Sequence, residues 1–278
     1  MHIFRTVAQL EEYYKTHQDI TIGFVPTMGA LHKGHISLVK KSVEENQLTV
    51  CSIFVNPTQF NSKEDLEKYP RNEKHDILLL KHAKCNVAFI PSAEEMYAEK
   101  EKLLKFDLKG LDATMEGKFR KGHFAGVITI VNKLFNIVKP NRAYFGEKDF
   151  QQLIIIKYMA QKLHKKVEVI GCPTFREEDN LAMSSRNARL TPDDRKHAPT
   201  IYKAMYYGRT HKHDWDFKHI KEEVAERINA YKKFKVDYFE IVEAKTLKPA
   251  KGVKKDVQLR ACIAVQTSTV RLIDNIIF

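Results

Sequence analysis

The chain has 278 residues, of which 43% are hydrophobic and 29% charged, a balance that excludes wholesale disorder and allows one large or two smaller domains. The formal net charge is +12, but the lysines form small clusters spread along the sequence. This distribution indicates solvated basic faces that attract small anions, and it disfavours a nucleic-acid partner.

The four cysteines, Cys51, Cys85, Cys172 and Cys262, are far apart in the sequence. Their spacing excludes a CxxC metal or redox motif and disfavours a disulfide framework, so we expect reduced core residues. The first residues lack the basic and apolar regions of a secretory signal, and the most apolar run, at 153–160, is too short to span a bilayer. We therefore expect a cytoplasmic protein with no membrane association.

Apolar segments typical of buried strands alternate with helical patterns in the first part of the chain. Strands are predicted at 19–25, 48–55, 86–91, 142–146 and 166–171, and helices at 72–83 and 123–138. This alternation predicts an α/β fold with a doubly wound, mostly parallel, Rossmann-like sheet that is covered on both faces. Ligands are expected beyond the carboxyl ends of its strands. We interpret 102–108 as a further strand on an excursion from the core.

The predicted helix at 123–138 has an amphipathic pattern. Its apolar stripe is formed by Phe124, Val127, Val131, Leu134 and Val138. Its other side contains Thr129, Asn132, Lys133 and Asn136. This spacing predicts one apolar and one polar face.

The pattern changes after a polar, turn-rich segment at 173–192. Two helices are predicted at 193–209 and 216–233, followed by three strands of a small antiparallel sheet, KVDYFEIVEA, VQLRACIAV and VRLIDNIIF. We therefore expect a first domain at 1–175 and a second, smaller α+β domain at 176–278, with the polar segment as a hinge candidate.

The segment VPTMGALHKGH lies where a predicted strand is followed by a helix. If the helix begins near Lys33, then His32 and His35 lie on one face of its first turn, where unpaired backbone N–H groups and the helix dipole favour an anion. Gly29 and Gly34 leave room for a phosphate or nucleoside beside the backbone. An imidazole can donate to phosphate oxygens and can gain charge as the phosphate becomes more negative. The alternative is a metal site, but no neighbouring Cys or acidic cluster supplies further ligands.

Five segments carry the residues with the clearest chemistry. They are PTMGALHKGH, FVNPTQF at 54–60, GHFAGV at 122–127, FGEKDFQQ at 145–152 and AMSSRN at 182–187. In this order and spacing they resemble, over the whole chain, the pantothenate synthetase (pantoate:beta-alanine ligase) family of the HxGH nucleotidyl transferase superfamily. The resemblance implies ATP-dependent condensation of pantoate with beta-alanine to pantothenate, AMP and pyrophosphate through a pantoyl adenylate. It also implies Mg²⁺ and a homodimer.

The resemblance also implies roles for individual residues, with a nucleotide- and pantoate-binding first domain and a lid as the second. The implied ATP contacts are Pro26, Thr27, Met28, Gly29, His32, Gly34, His35, Gly146, Lys148, Asp149, Phe175, Met183, Ser184, Ser185 and Arg186. The implied pantoate and beta-alanine contacts are Met28, Asn56, Gln59, Arg120, His123 and Gln152. The implied catalytic residues are His32, His35, Lys148, Ser184, Ser185 and Arg186. Asp76 is the implied contact, through water, of Mg²⁺.

Residue chemistry supports some of these roles and leaves others open. Asn56 and Gln59 follow a strand at a Pro-directed turn, where amides can project into a cleft, although a lone Gln is often a surface residue. Lys148 would give the phosphates a positive charge, and Asp149 could bind a ribose hydroxyl or cap a helix. His123, at a helix start, could be structural.

The hydroxyls and guanidinium of AMSSRN could fold over a triphosphate, as the KMSKS loop does in related enzymes, although an ordinary polar loop is the alternative. No GxSxG elbow or activated cysteine indicates a covalent nucleophile. Two rival functions stay open. A nucleotidyl transferase would release pyrophosphate without free AMP and would ignore beta-alanine. A basic RNA-binding module would bind in a salt-dependent way without ATP turnover.

Overall fold

The structure is a computed structural model that describes residues 1–97 and 102–278. The chain forms two compact units. The first comprises Met1–Gly110, Arg120–Glu147 and Gln152–Pro173, and the second comprises Leu111–Phe119, Lys148–Gln151 and Thr174–Phe278. Two short segments that precede Thr174 in the sequence, Leu111–Phe119 and Lys148–Gln151, therefore belong to the second unit. The expected domains at 1–175 and 176–278 stay a prediction.

The first unit contains, within the described residues, a six-stranded parallel sheet. Its strands are β1 (His2–Phe4), β2 (Ile22–Thr27), β3 (Leu48–Ile53), β4 (Val87–Phe89), β5 (Arg142–Gly146) and β6 (Glu168–Cys172). They lie in the order β1-β4-β3-β2-β5-β6, and every pair is parallel. After β2 the chain adds β3 and β4 on one side and then β5 and β6 on the other, so the topological switch point lies between β2 and β5.

Helices and 3-10 turns connect the strands. The helices of the described segments are α1 (Val7–Lys15), α2 (Lys33–Glu45), α3 (Lys63–Glu67), α4 (Glu73–His82), α5 (Ala93–Met96), α6 (Met115–Phe119), α7 (His123–Val138), α8 (Phe150–Leu163), α9 (Pro192–His197), α10 (Thr200–Thr210) and α11 (Phe217–Asn229). The 3-10 turns cover Pro57–Gln59, Glu147–Asp149 and Ser185–Arg189. None of these helices is long and apolar enough to cross a membrane.

Helices cover both faces of the parallel sheet. Val25 belongs to a buried cluster with Leu38 of α2 and Leu80 of α4. The preceding residue, Phe24, contacts Phe135 of α7 edge-on, with ring centroids 6.3 Å apart. Because successive strand side chains point to opposite faces, α2 and α4 cover one face and α7 covers the other. The predicted doubly wound α/β fold is confirmed. The strand β1 was not predicted, since three residues at a sheet edge show no measurable alternation.

Helix α7 has the predicted bounds and a buried apolar stripe, but its polar face is also partly covered. Thr129 is only 6% exposed. Its hydroxyl donates to the Ala125 carbonyl at 2.6 Å and accepts from the Leu104 amide at 2.9 Å, so the buried polar group has partners. The residues at 102–108 have no strand conformation. The prediction of a strand there is wrong, since the amide of Leu104 pairs with a helix side chain instead of a neighbouring strand.

The second unit contains an antiparallel sheet with helices packed on it. Its strands β7 (Lys235–Glu243), β8 (Leu259–Gln266) and β9 (Arg271–Ile277) lie in that order. Met205 of α10 and Ile220 of α11 are buried in one cluster with Ile241 and Ile263 of the sheet. The predicted α+β class is confirmed. The helix predicted at 193–209 is instead divided into α9 and α10 at Pro199, which has no backbone N–H to continue α9.

Candidate active site

The pair of histidines predicted from the sequence lies at the carboxyl end of β2, where α2 begins. His32 is the N-cap residue of α2, and its Nδ1 accepts a hydrogen bond from the Gly34 amide at 3.2 Å. The amide of His32 donates in turn to Nδ1 of His35 at 3.3 Å. The ring centroids lie 4.0 Å apart. This reciprocal arrangement is a capping box in which two imidazoles replace the usual hydroxyl and carboxyl side chains.

The two cap bonds determine which nitrogen of each ring carries the proton. Nδ1 of both His32 and His35 accepts from a backbone N–H, so Nδ1 is unprotonated in each neutral ring. The proton then resides on Nε2, which becomes a hydrogen-bond donor on both histidines. The cap bonds therefore favour the tautomer in which Nε2 carries the proton, and this is the donor that the sequence analysis expected for phosphate oxygens.

The loop between β2 and α2 is held by a buried carboxylate. Gly29 and Ala30 have left-handed backbones, with φ of 76° and 49°. Asp76, which is 1% exposed, accepts from the Ala30 amide at 2.9 Å and from the Leu31 amide at 2.7 Å. Burial raises the pKa of Asp76, although the two amide bonds lower it. The hydroxyl of Thr27 accepts from the Gly29 amide at 3.2 Å. Both oxygens of Asp76 thus hold the loop, and its contact with Mg²⁺ stays a prediction.

The turn after β3 presents Gln59, and Asn56 orients it. Nδ2 of Asn56 donates to Oε1 of Gln59 at 3.1 Å and to the Gly126 carbonyl at 3.2 Å. Oδ1 of Asn56 accepts from the Tyr97 hydroxyl at 2.7 Å. Nε2 of Gln59 lies 2.9 Å from Sδ of Met28. Asn56 is 1% exposed and its Nδ2 orients Gln59, while its contact with pantoate stays a prediction.

The start of α7 holds the backbone of the same turn. Nδ1 of His123 donates to the Gln59 carbonyl at 2.7 Å, and Nη2 of Arg120 donates to the same oxygen at 3.3 Å. A Cβ on Gly126 would lie 2.4 Å from the Thr58 carbonyl. Glycine is therefore needed for α7 to approach the turn this closely. His123 is 6% exposed, and its observed contact is structural, as the sequence left open.

The second unit contains the predicted cationic residue. Lys148 lies two residues after Gly146, the last residue of β5. Its Nζ is 3.7 Å from Oδ1 of Asp149. The two side chains are 18% and 46% exposed. The Lys148 carbonyl accepts from Nδ2 of Asn275 at 2.8 Å. Asn275 was not singled out from the sequence, although a polar pair inside the apolar strand VRLIDNIIF was a visible signal.

The predicted hydroxyl loop lies in a short hairpin and 3-10 turn of the second unit. Oγ of Ser184 accepts from the Arg186 amide at 3.2 Å and caps the turn. Ser185 and Arg186 are half-buried. The Met183 amide donates to the Phe175 carbonyl at 3.0 Å, which closes the base of the hairpin.

The contacts of the first unit bring Met28, Asn56, Gln59, Arg120 and His123 into one cluster. Gly34 and Gly146 flank the switch point. Pro26 and Thr27 belong to β2, and the hydroxyl of Thr27 donates to the Ser52 carbonyl at 2.7 Å. Gln152 lies half-buried in the first turn of α8, and its position opposite Gln59 stays a prediction. The ligand contacts of all these residues also stay predictions.

The described residues contain no group of three or more His, Cys, Asp or Glu side chains that could hold a metal ion. A parallel sheet with a helix N-terminus and two imidazole donors at its switch point is instead the arrangement of a nucleotide-binding α/β enzyme.

Comparison with known proteins identifies the family. The pantoate-beta-alanine ligase family matches residues 2–277. A pantothenate synthetase of Azobacteroides pseudotrichonymphae is 47% identical over 281 aligned residues, covering 100% of both chains. The crystal structure of pantothenate synthetase from Thermus thermophilus has a TM-score of 0.90 at 41% identity and covers 99% of each chain. A pantoate-beta-alanine ligase from Francisella tularensis, complexed with beta-gamma ATP and beta-alanine, has a TM-score of 0.85 at 36% identity, covering 100% of this chain and 97% of that one.

The chain therefore belongs to the pantoate-beta-alanine ligase family, as the five sequence blocks predicted. Family membership makes it a ligase that joins pantoate and beta-alanine in an ATP-dependent reaction.

Proposed function

We propose that the protein forms pantothenate in two steps on the residues described above. An oxygen of the pantoate carboxylate first attacks the α-phosphorus of ATP, the bond to the β-phosphate oxygen breaks, and pyrophosphate leaves. The amine of beta-alanine then attacks the acyl carbon of the pantoyl adenylate, AMP leaves, and the nitrogen loses a proton. The observation that carries this proposal is the pair of imidazoles capping α2 at the switch point of the sheet.

The capped histidines are suited to the first step. With Nδ1 of His32 and His35 bonded to the backbone, both Nε2–H groups can donate to phosphate oxygens. The N-terminus of α2 adds partial positive charge at the same place. Donors fixed before the ligand arrives stabilise the charge that develops at phosphorus, and one such donor contributes about 100- to 1000-fold to the rate.

The Gln59 turn is suited to holding the acid. The side chain of Gln59 is oriented by Asn56, and its carbonyl is held by His123 and Arg120. A fixed amide can both donate to a carboxylate and accept from a hydroxyl, and pantoate carries both groups. Alignment of the acid with the α-phosphate can contribute about 7–11 kcal/mol toward lowering the barrier.

Lys148, Ser184, Ser185 and Arg186 supply the other proposed phosphate contacts. Lys148 carries a fixed charge, and Arg186 offers a planar fork of donors to phosphate oxygens. The carboxylate of Asp149, which is 46% exposed beside Lys148, can accept a ribose hydroxyl. None of these residues acts as a covalent nucleophile in the proposed reaction.

The proposed Mg²⁺ ion fits a role as a companion of the triphosphate. Mg²⁺ usually keeps several waters and binds one or two carboxylates together with substrate phosphates. Both oxygens of Asp76 already accept backbone amides, so Asp76 could contact the ion only through water. When bound, Mg²⁺ would neutralise phosphate charge. A homodimer is also proposed on the resemblance, and sedimentation equilibrium would measure the oligomeric state. The cytoplasmic location stays a prediction.

The proposed reaction is tested by product analysis with purified protein, ATP, Mg²⁺ and pantoate. Pyrophosphate and AMP are measured with and without beta-alanine, and pantothenate is identified by mass spectrometry. We expect AMP release to depend on the amine. Pyrophosphate release without AMP, unaffected by beta-alanine, would indicate a nucleotidyl transferase. The absence of any ATP turnover would contradict the proposal.

A further inference from the structure

Strand β9 carries polar side chains on both of its faces, although its sequence is otherwise apolar. Leu272 and Ile276 lie in the core cluster of the second unit, and Asp274 is between them on the same face. Arg271 and Asn275 alternate with them and therefore point to the opposite face. Asp274 and Asn275 are 5% and 3% exposed. Buried polar groups at these positions need defined partners.

The partner of Asn275 is the backbone of the proposed phosphate-binding lysine. Nδ2 of Asn275 donates to the Lys148 carbonyl at 2.8 Å. The bond fixes the backbone from which the side chain of Lys148 extends. Since Lys148 lies in a 3-10 turn and not within a long helix or strand, regular secondary structure does not fix it on its own.

Asn275 is itself held at its backbone by a buried ion pair. Its amide donates to Oδ1 of Asp274 at 2.7 Å, and its carbonyl accepts from Nη2 of Arg176 at 3.1 Å. The guanidinium of Arg176 donates two further hydrogen bonds to the carboxylate of Asp274, at 2.7 and 2.9 Å. The guanidinium of Arg176 lies 4.3 Å from the ring centre of Tyr202. Asn275 therefore has little freedom to follow Lys148 if the turn shifts.

Other contacts of the second unit hold the residues that follow Lys148. The guanidinium of Arg260 lies 4.3 Å from the ring centre of Phe150. Nε2 of Gln151 donates to the Leu111 carbonyl at 2.8 Å and to the Thr114 carbonyl at 3.0 Å. These contacts fix the start of α8, while the bond from Asn275 holds the turn before it.

We propose that Asn275 is a positioning residue for Lys148: its amide sets the backbone of the 3-10 turn so that the lysine Nζ is aimed at the phosphates of the nucleotide. The proposal rests on the function proposed above for Lys148. Loss of this bond lets the turn relax, and displacement of a charged group by about 1 Å can lower the rate about 100-fold.

A double-mutant cycle tests the proposal. Asn275→Ala, Lys148→Ala and the double variant are compared with the wild-type chain by kcat and KM for ATP in pyrophosphate release and by thermal unfolding. We expect Asn275→Ala to lower kcat about 10- to 100-fold and Lys148→Ala about 100- to 1000-fold. The double variant should lie within about threefold of Lys148→Ala, because residues that act as a unit are strongly non-additive.

Asn229→Ala is the control, since the side chain of Asn229 is also bonded to the backbone within the second unit: Oδ1 of Asn229 accepts from the Val236 amide at 3.0 Å, whereas Nδ2 of Asn275 donates. It should lower the melting temperature and leave kcat unchanged. Asn275→Asp, of nearly the same size, removes the donor and should lower kcat as Asn275→Ala does. Additive losses in the cycle, or a loss of stability with unchanged kcat, would overturn the role of Asn275. Full activity of Lys148→Ala would instead overturn the function proposed for Lys148.

Discussion

The two units hold their proposed site residues by different means. In the first unit, backbone amides hold His32, His35 and Asp76, at or near the end of a parallel strand. In the second unit, ion pairs between residues that are separated in the sequence connect its segments to one another. The pairs are Arg176 with Asp274, Arg195 with Glu177 and Asp179, and Arg271 with Glu116 and Asp237.

The difference shows where the geometry of each part comes from. A helix that begins after a parallel strand has backbone N–H groups without helical partners in its first turn. The candidate site of the first unit therefore follows from its secondary structure. Ion pairs depend on charged partners that the chain must bring together. The second unit should therefore be more sensitive to charge substitutions, and its partly exposed pairs should weaken as salt is raised.

The largest effect is expected from the buried pair of Glu116 and Arg271. Glu116 is 6% exposed. Its Oε1 lies 2.8 Å from Nη1 of Arg271 and accepts a hydrogen bond from the Tyr238 hydroxyl at 3.0 Å. Burial raises the pKa of Tyr238, and the charge of Glu116 raises it further. Glu116→Leu should lower the free energy of unfolding by about 3–5 kcal/mol, since it breaks a largely buried ion pair and leaves Asp237, 2.6 Å from Nε of Arg271, to balance the guanidinium. Urea denaturation measures this loss.

The matched control for this prediction is an exposed pair of the same unit. Nζ of Lys218 lies 3.9 Å from Oε1 of Glu222, and the two side chains are 87% and 62% exposed. Glu222→Leu should change the free energy of unfolding by no more than about 0.5 kcal/mol. Equal losses for Glu116→Leu and Glu222→Leu would mean that buried ion pairs do not stabilise the second unit.

A smaller loss, in rate, is expected from the histidine cap of the first unit. His32→Ala removes both the cap and the Nε2 donor and should lower the adenylation rate about 100- to 1000-fold, which corresponds to about 2.7–4 kcal/mol. His32→Asn keeps an oxygen that can cap α2 but lacks the Nε2 donor. It should therefore restore the melting temperature without restoring pyrophosphate release. Recovery of both properties would mean that His32 only caps the helix.

The smallest effect is expected at Asp76. Asp76→Asn should lower the free energy of unfolding by about 1–3 kcal/mol at neutral pH. The Asn side chain has one oxygen in place of two, so one of the two backbone N–H groups that Asp76 binds would lose its acceptor. The exposed Asp214→Asn is the control and should change it by no more than about 0.5 kcal/mol.

The pH dependence of this loss has a defined sign. Burial raises the pKa of Asp76 above its ordinary 3.8, so the folded protein binds this proton more tightly than the unfolded chain does. The contribution of Asp76 to stability must then become more favourable as pH falls through the raised pKa toward 3.8. The difference in unfolding free energy between wild type and Asp76→Asn should widen over that range. A difference that narrows as pH falls would contradict the raised pKa.

The sequence predicted what depends on local pattern. The alternation of strands and helices indicated the parallel sheet, and the HxGH segment indicated the histidine turn, because both are set by neighbours within a few residues. The contacts of Asn56 with Tyr97 and Gly126 were not predicted, since only the fold brings these residues to its side-chain amide. Asn275 was missed for the same reason, because 127 positions separate it from Lys148.

The spacing of the two histidines has a consequence for how this enzyme can change. Residues at the N-cap and three positions later are those that can exchange bonds across a first helical turn. Nδ1 of each ring accepts a bond that caps the helix, and Nε2 is the proposed donor to phosphate. Insertion or deletion of one residue between His32 and His35 would therefore impair folding and turnover together, and substitutions at either position are constrained by both requirements.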